Sequence, residues 1–114
     1  MRLKRGYYKS FVLLVALLIF APQVSGQKKT KAPKVYTIEI SKMKFIPADL
    51  VVEKGSKIVW INKDFYPHDI TDEIKKTWSS KPINQNQSWS KIVTKNENYF
   101  CNLHKTMKGK ITVK

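Results

Sequence analysis

The sequence predicts an all-β sandwich, and three observations predict it. After Pro33 the apolar residues fall in short β-rich runs, turn residues punctuate those runs, and no stretch sustains a helical period. Alternation is clearest in Tyr36-Thr37-Ile38-Glu39-Ile40, and further runs follow at Leu50-Val51-Val52-Glu53 and Lys57-Ile58-Val59-Trp60-Ile61-Asn62. Additional strands are expected at residues 88–94, 98–101 and 110–113, with a turn at Lys54-Gly55-Ser56 and Gly109 opening the last strand. Residues 70–87 are polar around Trp78 and Pro82 and carry no clean period, so they read as a loop or a weak edge strand. Short strands spaced by frequent turns are the signature of a sandwich.

Ahead of this domain, Met1-Arg2-Leu3-Lys4-Arg5 is basic and leads into the apolar run 11–20, with a small-residue cleavage site at Val24-Ser25-Gly26. That pattern predicts a secretory signal peptide over residues 1–26. Spanning a bilayer takes about 20 apolar residues, more than this run holds, so no stable membrane insertion is expected after cleavage. Residues 27–34 are rich in lysine and read as a solvated, disordered linker to a domain over residues 35–114. Cleavage after Gly26 leaves 88 residues, enough for one small core and too few for a second catalytic domain. The expected location is the periplasm, with secretion or a peripheral place at the membrane as the alternatives.

The whole chain carries a formal charge of +14 from 22 basic and 8 acidic residues. Loss of Arg2, Lys4, Arg5 and Lys9 with the leader brings it to about +10, which predicts an acidic docking partner. Nucleic acid is a poor fit: the chain is exported, and its lysines are scattered rather than set in one stripe with stacking aromatics. The three tryptophans, Trp60, Trp78 and Trp89, are expected to pack in the sandwich.

The chemistry is concentrated in Cys101-Asn102-Leu103-His104-Lys105-Thr106-Met107, where a thiol, an imidazole and a thioether sit within seven residues. His68, in Tyr66-Pro67-His68-Asp69, supplies a second imidazole. Taken singly, Cys101 reads as a small buried hydrophobe, Met107 as core filler and the histidines as surface residues. Cys101 is the only cysteine, however, and His68 and His104 are the only histidines. Two imidazoles, one thiolate and a weak thioether form the ligand set of a type 1, or blue, copper ion cycling between Cu(I) and Cu(II). A lone thiol in an oxidising compartment also needs protection, which metal ligation provides; an intermolecular disulfide is the competing fate.

The strand runs explain how such a set could assemble. Cys101 closes one strand and Gly109 opens the next, so the loop between them must bend back and bring Cys101, His104 and Met107 together. His68 must then be delivered by the fold. Asn62 and Asp64 are expected to shape the turn into the His68 segment through Asx-type hydrogen bonds.

The chain resembles the cupredoxins, the blue-copper family of plastocyanin and azurin, and among them amicyanin. The resemblance is carried by Lys42-Met43-Lys44-Phe45, Leu50-Val51-Val52-Glu53-Lys54-Gly55, Val59-Trp60-Ile61-Asn62, Pro67-His68 and Cys101 to Met107 continuing into Lys108-Gly109-Lys110. The short Cys-x-x-His-x-x-Met loop is what singles out amicyanin. The resemblance implies a Greek-key sandwich with copper at one end and His104 as the electron's exit. It also implies an apolar docking patch at Met43, Tyr66, Pro67 and Leu103. Lys105 and Thr106 replace a proline and a phenylalanine of amicyanin, making the rim more polar and basic. Asp69 stands where many cupredoxins have asparagine; its backbone N–H is expected to reach the cysteine sulfur, while its side chain either perturbs the site or points to water.

These readings predict a monomeric carrier of single electrons between exported redox proteins, such as a c-type cytochrome and a dehydrogenase or reductase. Copper storage or delivery is the competing function. Catalysis is disfavoured because a catalytic metal keeps an open position, which Met107 would fill, and the chain has no further His or Cys for a second site. The thioether also argues against zinc.

Overall fold

The computed structural model describes residues 19–28 and 30–114. The basic start and most of the apolar run of the expected leader, residues 1–18, lie outside the described residues, as does Lys29 of the linker. Residues 19–28 and 30–34 form neither helix nor strand and are exposed. No helix among the described residues is long and apolar enough to cross a membrane.

Eight strands follow: β1 (Val35–Ser41), β2 (Lys44–Ile46), β3 (Asp49–Val52), β4 (Ser56–Asn62), β5 (Thr71–Asp72), β6 (Ser88–Val93), β7 (Glu97–Phe100) and β8 (Lys108–Val113). They form two four-stranded sheets, ordered β2-β1-β4-β6 and β3-β8-β7-β5. Each sheet contains one parallel pair, β1 with β4 and β3 with β8, among antiparallel neighbours. Parallel neighbours cannot be joined by a tight turn, so the chain crosses between the sheets before returning, the long-range connectivity of a Greek-key sandwich.

The period-2 pattern places the core. In β4, Ser56, Ile58, Trp60 and Asn62 point inward while the residues between them are only partly covered. Ile38 and Ile40 of β1 join them from the same sheet, and Val52, Tyr99 and Ile111 from the other. The sheets meet through aromatic edges: Trp60 lies 5.4 Å from Tyr99, and Phe45 lies 4.8 Å from the same ring. Trp89, opposite Trp60 in the β4/β6 register, stacks on Trp78 at 5.9 Å, so all three tryptophans pack as expected.

Every strand read from the sequence is present within a residue or two. The structure adds β2, too short to show alternation, and gives residues 70–87 a two-residue edge strand, β5, in line with the weak edge strand expected there. Residues 70–87 are mostly loop, held by β5 and by isolated bridges joining His68 to Ile83 and Thr71 to Ser79. Gly55 takes φ of 86°, the left-handed conformation that the turn before β4 requires.

A candidate metal centre

At one end of the sandwich, Asn62 closes β4. Its buried side-chain amide donates to the carbonyls of Tyr66 at 2.8 Å and Ile83 at 3.0 Å, while its oxygen accepts from Asp64 N–H at 2.9 Å. The last bond is the expected Asx turn. It starts the loop that delivers His68, and two backbone bonds between His68 and Ile83 fix the histidine in place.

Asp64 then does more than turn the chain. One carboxylate oxygen accepts from Lys42 N–H at 2.7 Å, and the other accepts from Met43 N–H and from His68 Nε2, both at 2.9 Å. Lys42 and Met43 occupy left-handed backbone (φ 52° and 60°), which costs a non-glycine residue about 1–2 kcal/mol. The two N–H bonds to one carboxylate offset that cost and stitch the β1–β2 turn to the His68 loop. Burial works to raise the Asp64 pKa, but the Met43 and Lys42 amides and His68 outweigh it and hold the carboxyl below its ordinary value.

The second segment folds on itself between β7 and β8. Cys101 N–H donates to Met107 C=O at 3.0 Å, His104 N–H to Cys101 C=O at 3.2 Å, and Met107 N–H to His104 C=O at 2.9 Å. Three backbone bonds thus tie Cys101, His104 and Met107 into one compact loop. Cys101 and Met107 are buried, and His104 is half-buried at the surface.

These two segments bring three donor atoms together. Cys101 Sγ lies 3.8 Å from Nδ1 of both His68 and His104, and the two Nδ1 atoms are 3.2 Å apart. A point in the plane of that triangle is about 2.1 Å from each corner, within the bond range of about 2.0–2.3 Å for imidazole and thiolate on a first-row metal. His68 donates its Nε2 proton to Asp64, which leaves the Nδ1 lone pair facing the point. The donors therefore fit a metal ion of this size and softness. Met107 is packed beside them in the same buried cluster as Cys101.

Around these donors lie the other residues singled out by the sequence. Asp69 N–H reaches Cys101 Sγ at 3.4 Å. Its side chain does not point to water, which corrects that alternative: it is buried, and Oδ1 accepts from Asn102 N–H at 2.7 Å and Thr71 Oγ1 at 3.0 Å. The reason is local: a ligand-loop amide and a neighbouring hydroxyl both donate to the carboxylate, so it is satisfied away from water. Met43, Tyr66, Pro67, Leu103 and Lys105 are all exposed, on the three loops that surround the donors. Sequence reasoning missed two participants, Asp64 as the partner of His68 and Phe65, whose ring is 82% exposed against Tyr66. Asp64, expected only to shape the turn, carries no sequence mark of a histidine's partner, and a phenylalanine carries no mark of exposure.

A family model described as "Cupredoxin-like domain" matches residues 10–113. The chain is 26% identical over 104 residues to amicyanin of Paracoccus versutus, covering 79% of this chain and 76% of that protein. It is 28% identical over 82 residues to amicyanin-alpha of Methylorubrum extorquens, covering 67% and 69%. Among solved structures, the Cu(I) form of a methionine-to-alanine variant of amicyanin superposes with a TM-score of 0.65 at 25% identity, covering 75% of this chain and 87% of that one.

Proposed function

This chain belongs to the cupredoxin-like family, and from that premise we propose that it is an exported blue-copper protein that passes single electrons between redox partners. The observation that carries this reading is the triangle of Cys101 Sγ, His68 Nδ1 and His104 Nδ1, with Met107 buried beside it. Copper is the metal indicated by the family and by the soft thiolate and thioether donors. Bound there, copper supplies a one-electron couple between Cu(I) and Cu(II).

The chain's residues have distinct tasks. Cys101 acts as the thiolate, and the Asp69 N–H beside its sulfur moderates its electron density. His68 is held in one tautomer and one orientation by Asp64. His104 lies at the surface edge, where an electron can leave, and Met107 would supply a weak thioether donor. Because two rigidly hydrogen-bonded segments hold the donors, the protein resists rearrangement when the charge changes, which favours rapid transfer.

Docking falls to the exposed Met43, Tyr66, Pro67, Leu103 and Lys105, and the partner is an exported redox protein such as a c-type cytochrome, a dehydrogenase or a reductase. Residues 1–26 serve as the leader and 27–34 as the linker, placing the domain in the periplasm as a monomer. An enzymatic role lacks material, since no other histidine or cysteine exists for a second metal.

The test is the visible spectrum after addition of Cu(II) and then of a reductant. An intense band that bleaches and returns on reoxidation is expected. A colourless product with metal bound at the same histidines would move the assignment to copper storage or delivery.

A further inference from the structure

We propose that the metal-bearing end of the sandwich docks a redox protein whose contact face is acidic, with Phe65 as the apolar anchor and Lys42, Lys63 and Lys105 as the charges around it. The proposal rests on the electron-carrier reading above and names the partner's chemistry.

The fate of the acidic residues carries the argument. Of the eight in the chain, Glu53, Glu73 and Glu97 are paired with Lys34, Lys108 and Lys91. Asp64, Asp69 and Asp72 are turned inward, accepting hydrogen bonds from backbone and neighbouring side chains. Glu39 and Asp49 remain, within β1 and β3 rather than on the loops around the donors. On those loops, residues 42–43, 63–67 and 102–106, the one carboxylate is Asp64, already engaged by two amides and His68. Lys42, Lys63 and Lys105 are exposed there, and none has an ion-pair partner among the described residues. The positive charge of these three lysines therefore has no ion-pair partner among the described residues at this end.

Apolar surface is exposed on the same loops. Phe65 stands 82% exposed, braced edge-on by Tyr66 at 5.9 Å, and Leu103 beside His104 is 47% exposed. An exposed aromatic braced by a neighbour loses little freedom on docking and is the kind of residue that dominates a small interface. Uncompensated lysines around it accelerate encounter with an acidic face and repel a basic one. The order of residues thus separates two tasks: charge selects the partner, and Phe65 holds it close to His104.

The experiment is stopped-flow electron transfer from the reduced, copper-loaded protein to two c-type cytochromes, one with an acidic and one with a basic haem-edge surface. With the acidic cytochrome the second-order rate should fall by about tenfold or more between low and high ionic strength. The triple variant Lys42→Glu, Lys63→Glu, Lys105→Glu should lose a similar factor at low salt, and Phe65→Ala should slow the reaction at every ionic strength. Rates indifferent to salt, or faster with the basic cytochrome, would overturn the docking proposal while an intact visible band left the carrier reading standing. A wild-type chain without that band overturns the carrier reading and this proposal together. Salt-indifferent rates combined with lysine-dependent sedimentation on phosphatidylglycerol vesicles would assign the face to a membrane surface instead.

Discussion

His68 Nε2 donates a 2.9 Å hydrogen bond to the Asp64 carboxylate, which also holds the amides of Lys42 and Met43. One side chain therefore fixes the ring orientation of a metal ligand and the turn that borders it. Removing such a partner of a ligating histidine typically costs about 10–100-fold in metal affinity. Asp64→Ala should lose that much for copper in a chelator competition titration. Asp64→Asn, which keeps an acceptor oxygen, should lose less, and an Asp64→Ala protein of native affinity would exclude the positioning role.

Asp69 places a buried carboxylate one residue from His68 and in contact with the ligand loop at Asn102. A negative charge there favours Cu(II) over Cu(I) and lowers the reduction potential. Asp69→Asn should raise the potential by tens of millivolts, given the size of charge interactions in a partly buried site. Spectroelectrochemical titration reads the change, and equal potentials would mean that the carboxylate's field does not reach the metal.

Met107 is buried with Cys101, consistent with a weak axial donor. Met107→Leu should retain the visible band, because the thiolate is untouched, and should raise the potential, because a donor to oxidised copper is lost. An unchanged potential would argue against axial ligation.

Gly109 lies opposite Tyr99 in the β7/β8 register, and a Cβ at Gly109 would collide with the Tyr99 ring. The glycine is needed for space, not for backbone freedom. Gly109→Ala should destabilise the fold by about 1–3 kcal/mol through overpacking of a fixed aromatic. Urea unfolding measures this, and a change within error would show that the ring can move aside.

The same ring sets a limit at high pH. Burial, opposed by Trp60 and helped to a lesser extent by the charge of Asp49, raises the Tyr99 pKa from 10.0 to about 12. Because the folded value lies above the unfolded one, this tyrosine's contribution is fully present below pH 10 and is lost as pH rises toward 12. Ultraviolet titration should show one tyrosine ionising after the others, with stability declining over that interval. Simultaneous ionisation of all the tyrosines would rule this out.

Much of the fold was legible because period-2 alternation survives wherever a strand has one buried face, as in Tyr36 to Ile40. It failed for β2 and β5, which have too few residues to alternate. Strand pairing was not readable at all: nothing local in Val35 to Ser41 says that it runs parallel to Ser56 to Asn62, since that choice depends on how the two inner faces close on Trp60 and Tyr99.

The same division holds for the site. By itself the sequence determined the donor set, because Cys101, His104 and Met107 lie on one short loop and scarcity left His68 as the remaining imidazole. Only the tertiary structure decided that His68 meets them, that Asp64 is its hydrogen-bond partner, that Asp69 turns inward to Asn102, and that Phe65 turns out. The physical reason is that donor chemistry belongs to the residue, whereas distance, burial and hydrogen-bond partnership arise where segments far apart in the chain compete for the same space.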